Sequence, residues 1–72
     1  MTDEEYNERK QKIIDHFHSL EGKQVDTIMS ISKATGMKRR EASKAISRME
    51  VDGLVQPAGV MAGVAGYKLI EK

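Results

Sequence analysis

Between Gly36 and Val55 the chain reads GMKRREASKAISRMEVDGLV, and within it Arg40, Ser43, Lys44, Ser47 and Arg48 recur at spacings that place them on one side of a helix. At about 100° per residue this polar face lies opposite a narrow sector holding Ala42, Ala45, Ile46 and Met49. Guanidinium and ammonium donors interleaved with small hydroxyls can hold phosphate and let a backbone approach closely. Lys38, Arg39 and Arg40 crowd the helix start, where each cation costs roughly 0.3–1 kcal/mol against the positive end of the dipole, and Glu41 offsets only part of it. An arriving anion would relieve that cost, and phosphate is the natural one. A solvated helix face uses the same residue types, so the run alone leaves both readings open.

Charge is distributed unevenly, although the net charge of the 72 residues is only +1. Residues 1–21 hold Arg9, Lys10 and Lys12 against Asp3, Glu4, Glu5, Glu8, Asp15 and Glu21, a net −3. Residues 33–48 hold Lys33, Lys38, Arg39, Arg40, Lys44 and Arg48 against Glu41, a net +5. Such a dipole turns the middle segment towards a polyanion.

Other chemistry is poorly provided for. With no cysteine there are no disulfides and no thiolate metal sites, which fits a reducing compartment. His16 and His18, two apart on a helix, point about 200° from each other and cannot share an ion. Asp15 and His18 share a side, as a local hydrogen bond requires, but no nucleophile is placed to use them. Tyr6, Phe17 and Tyr67 are too scattered to form a stacking platform for single strands. Gly59, Gly63 and Gly66 lack the Lys-Ser/Thr that a phosphate-cradling loop requires. The expectation is a protein that is not an enzyme and takes no cofactor or metal. With no membrane-spanning run and an acidic start unlike a signal peptide, it is expected to be cytoplasmic.

The elements that position these residues follow from periodicity. Residues 1–72 suit a single small domain. Tyr6, Ile13, Ile14, Phe17 and Leu20 recur at helical spacings, predicting a helix from Asp3 to Leu20 that ends near Gly22. Lys23 to Val25 is read as a short strand. Asp26 is read as the N-cap of a second helix to about Thr35, with Ile28 and Ile31 buried and Gly36 ending it in the left-handed conformation. A third helix spans residues 37–52. Leu54-Val55-Gln56 and Tyr67-Lys68-Leu69-Ile70 are β-prone runs predicting a hairpin closed by a ten-residue loop from Pro57 to Gly66.

In this order the sequence resembles the winged helix-turn-helix domain of bacterial and archaeal transcriptional regulators, particularly the MarR and ArsR-like groups. The resemblance covers roughly Ile13 to Leu69. Gly36 matches the turn glycine and Met37 the apolar residue after it. Ile46, Met49, Gly53, Leu54 and Val55 match the close of the recognition helix and the start of the first wing strand, and Arg48 and Glu50 are common choices there. The resemblance implies an α+β fold of three helices with a small antiparallel β-hairpin wing, in the order α-β-α-α-β-β. It also implies double-stranded DNA as the partner, with residues 37–52 in the major groove. By position Arg39, Arg40, Ser43 and Lys44 would lie nearest the bases, with Ser47 on the same presented face. Lys38, Arg48, Lys33 and Lys68 would be phosphate contacts.

The sequence departs from that pattern twice. Lys38 stands where a Ser or Thr cap is usual. From Gln56 to Tyr67 there is no Lys or Arg, so the wing has no cation for the minor groove. Its apolar tip is expected to fold back over the core; docking on a second copy or another protein is the alternative, and would make the chain a protein-interaction module working through residues 57–66. Dimerisation suits a DNA binder this small, with the first helix, through residues such as Tyr6, or the wing available for it.

Overall fold

The computed structural model describes residues 2–20, 25–61 and 63–70. The chain forms α1 (Asp3–His18), β1 (Val25–Thr27), α2 (Ile28–Thr35), α3 (Arg39–Val51), β2 (Val55–Met61) and β3 (Val64–Leu69). This is an α+β fold of three helices and one antiparallel sheet of strand order β1-β3-β2.

α1 begins at a reciprocal cap: Thr2 Oγ1 accepts the Glu5 N–H at 3.1 Å, and Glu5 Oε1 accepts the Thr2 N–H at 3.2 Å. Acidic residues fill its first turn, where the dipole favours them. The helix stops at His18, short of the expected Leu20, because Ser19 closes it. The Ser19 N–H donates to the Asp15 and His16 carbonyls, and its hydroxyl donates to the His16 carbonyl at 2.6 Å. Gly22 and most of the strand expected over Lys23 to Val25 lie outside the described residues, and β1 runs instead from Val25 to Thr27.

The cap of α2 is Thr27, not Asp26. Thr27 Oγ1 accepts the Ser30 N–H at 3.2 Å. Asp26 is drawn into β1, where its backbone pairs with Tyr67 and its carboxylate meets His16 Nε2 at 2.5 Å. Gly36 ends α2 as expected, at φ 75° with its N–H on the Ser32 carbonyl.

The hairpin is longer than the β-prone runs imply. Most of the stretch expected as a loop, Pro57 to Gly66, is strand: Val55 pairs with Leu69, Pro57 with Tyr67, and Val60 with Ala65. Between the last two pairs, Ala58 and Gly59 stand against Gly66 alone, so β2 carries one extra residue, and Gly59 takes φ 96° there. Such a bulge lets pairing continue through residues of low strand propensity, and the outer position of β2 tolerates Pro57, which has no N–H to give.

Tyr6, Ile13 and Phe17 of α1 meet Ile31, Met37, Ala42, Ala45, Ile46, Met49 and Val55 in one core. Ala42 and Ala45 are fully buried, so the small residues of α3 bring its backbone close to its neighbours. Tyr6, expected to be available for dimerisation, is 3% exposed and belongs to this core.

Candidate nucleic-acid interface

The placement of α3 follows from the turn before it. Met37 is buried, and Ser32 Oγ donates to its carbonyl at 2.6 Å, which ties the link back to α2. Lys38 then occupies the N-cap with an ammonium that has no lone pair to offer. Glu41 supplies the other half of a capping box, its Oε1 accepting the Lys38 N–H at 3.1 Å.

The packed sector of α3 is the expected one: Ala42, Ala45, Ile46 and Met49 are buried. Arg40, Lys44 and Ser47 are exposed on the opposite side, and Ser43 is half-buried at its edge. Lys38 and Arg39 are exposed at the helix start, and Lys33 is exposed on α2. Among the described residues, none of these five cations has an ion pair or a side-chain hydrogen bond.

Arg48 is placed differently. Its guanidinium donates to Asp3 Oδ1 at 3.0 Å and lies 4.0 Å from the centre of the Tyr6 ring. On α3 it falls at the border between the presented face and α1, and α1 takes it. Lys68 is half-buried in β3, paired with Val25 on one side and Gln56 on the other.

The lone anion of the basic segment is likewise turned inward. Glu41 Oε2 accepts from Arg9 at 2.6 Å, and Arg9 also reaches Glu5 at 3.4 Å. The fold thus turns Glu41 towards α1, and the other anion of α3, Glu50, stays exposed in its last turn. The fold also leaves Val51 86% exposed, one turn beyond Ser47 on the same face. Arg40, Lys44, Ser47 and Val51 follow one another at spacings of four, three and four, so the helical wheel already carries Val51's place in the row.

Two further constellations depend on partners remote in sequence. The Tyr6 hydroxyl donates to Asp52 Oδ2 at 2.9 Å, joining the start of α1 to the C-cap of α3. Burial and that bond push the phenol up to about 12, against the opposing pull of Arg48. Exposed Glu5 is held below the ordinary carboxylate range by its bonds to Thr2. The second constellation is the His16–Asp26 pair, with Asp26 Oδ1 also accepting the Thr27 N–H at 2.9 Å. The pair borders an open cleft of about 420 Å³ lined by Lys12, Asp15, His16, Ser19, Ala34 and Thr35. Asp15 accepts from Gln11 at 2.9 Å. No group of three or more His, Asp or Glu among the described residues is arranged to hold a metal.

The expected cover of the core by the hairpin is not found. Val60 is 72% and Val64 41% exposed, because the strands extend outward from the core and do not fold over it. No helix among the described residues is long and apolar enough to cross a membrane. Compared with protein-family models, curated proteins and solved structures, the chain finds no match.

Proposed function

We propose that this chain binds duplex DNA as a winged helix-turn-helix protein, with α3 in the major groove, and serves in transcriptional regulation. The observation that carries the reading is the sorting of charge around α3. Arg40 and Lys44 stand exposed and unpaired among the described residues, while the carboxylate of Glu41 on the same helix is held towards α1 by Arg9. One helical turn separates the two cations, and Ser43 and Ser47 beside them are small enough to let a groove wall approach. The short turn between α2 and α3 and the hairpin after α3 agree with this reading.

In this arrangement Arg39, Arg40, Ser43 and Lys44 reach base edges, with Lys38 and Lys33 on phosphates. Arg48 supports the helix from the α1 side. Fluorescence anisotropy with random duplex DNA tests the assignment. Binding is expected to weaken steeply with salt, and Arg40→Ala with Lys44→Ala to reduce affinity at least about tenfold. Unchanged affinity in the double variant would remove α3 from the interface.

The exposed valines of the hairpin favour a second reading, a protein-interaction module working through residues 57–66. Val60→Glu is then expected to shift the gel-filtration profile, and an unaltered oligomeric state and partner profile counts against the module.

A further inference from the structure

The outer faces of α1 and α3 carry rows of matching spacing and opposite sign. On α1, Glu4, Glu8, Gln11 and Asp15 are all exposed, on the side away from Tyr6, Ile13 and Phe17. On α3, Arg40, Lys44, Ser47 and Val51 are all exposed, on the side away from Ala42, Ala45, Ile46 and Met49. Each row follows spacings of four, three and four and covers about 16 Å of helix.

The sorting by sign results from how the two helices pack. Where α1 meets α3, Arg9 of the acidic helix is used by Glu41, and Arg48 of the basic helix is used by Asp3. Lys10 of α1 lies 5.3 Å from the centre of the Tyr6 ring. The Arg9–Glu41 pair takes one minority charge from each helix and the Arg48–Asp3 pair one majority charge from each, so the outer rows keep Glu4, Glu8 and Asp15 on α1 and Arg40 and Lys44 on α3. Lys12 flanks the acidic row and is its one exposed opposing charge.

We propose that the outer face of α1 docks on the basic face of α3 in a second copy of this chain. With the two helices running in the same direction, Glu4 meets Arg40, Glu8 meets Lys44 and Gln11 meets Ser47. The opposite direction forms one charge pair, Asp15 with Arg40, against two in the first. Each direction sets one carboxylate, Asp15 in the first or Glu4 in the second, against Val51, so the number of charge pairs selects the first. The contact joins unlike faces and is heterologous, leaving a free α1 face on one copy and a free α3 face on the other. Exposed ion pairs are individually weak and screened by salt, so the association belongs to low ionic strength and high protein concentration. A row of carboxylates offers α3 the same kind of ligand as a row of phosphates, so self-association and duplex binding exclude each other at any one α3 face, and excess duplex takes every such face. That last clause rests on the DNA reading; the self-association does not.

Sedimentation equilibrium of the whole chain tests it, from about 20 to 200 mM salt. The weight-average mass is expected to rise above the monomer with concentration at low salt and to return to it at high salt. Glu4→Lys with Glu8→Lys, and separately Arg40→Glu with Lys44→Glu, should each be monomeric at low salt. An equimolar mixture of the two should associate again, because each reversed row then meets its complement. Circular dichroism checks that both variants are folded, and Glu4→Gln with Glu8→Gln, which adds no charge, should also lose the association. A monomeric wild type at low salt overturns the proposal, as does an α1 variant that associates like wild type. A short duplex added to the associated protein should release monomeric complexes. Failure of the duplex to bind while association persists would overturn the DNA reading and leave the docking surface standing.

Discussion

Tyr6 shows how much one side chain decides here. Its ring is buried in the core, its hydroxyl holds Asp52 at the end of α3, and Arg48 lies over its face. Burial and the Asp52 bond raise its ionisation to about 12, against an ordinary phenol near 10. The native state therefore binds this proton more tightly than the unfolded chain does. The resulting stabilisation is complete below pH 10 and is lost as pH rises from about 10 to 12, a loss of roughly 3 kcal/mol. Urea denaturation of wild type and Tyr6→Phe across that range measures it. The stability difference between them should shrink, then reverse, as the wild-type phenol ionises, and parallel pH profiles would rule the mechanism out. The apolar periodicity of the first helix includes Tyr6, but the use of its hydroxyl depends on Asp52, 46 residues away. Local reading therefore places the residue on the correct helix and still mistakes a core anchor for a free surface.

At the scale of elements, the link from α2 to α3 sets the direction of the basic row. Gly36 holds φ 75°, and a Cβ added there would meet nothing within 4 Å. Gly36→Ala therefore introduces backbone strain without a clash and should lower stability by about 1 kcal/mol. Chemical denaturation should show a lower midpoint at an unchanged slope; an unchanged or higher midpoint would contradict the left-handed conformation. This turn was legible because glycine is favoured for that dihedral whatever packs around it. The cap of α2 was not legible in the same way. Asp26 and Thr27 are both good caps by type, and Asp26 was lost to the role because His16 and the pairing with β3 claimed it. The hairpin failed for a related reason. Pro57, Ala58 and Gly59 are poor strand formers alone, and a bulge opposite Gly66 is a property of two strands together.

For the whole molecule, the separation of charge along the chain becomes a separation in space only because α1 and α3 pack side by side and neutralise Arg9, Glu41, Asp3 and Arg48 between them. That packing divides the candidate site into cations presented to solvent and one arginine spent on the fold. The sequence by itself determined the three helices, the buried sector of α3 and the outward face of Arg40, Lys44 and Ser47, since helical periodicity is local and burial follows it. It also determined the excess of positive charge over residues 33–48, which is a matter of composition. The tertiary structure decided which of those cations remain unpaired, where Glu41 points and how far the hairpin extends. Ion pairs spanning 32 and 45 residues, and the register between β2 and β3, exist only when distant segments meet, and no local propensity encodes such a meeting.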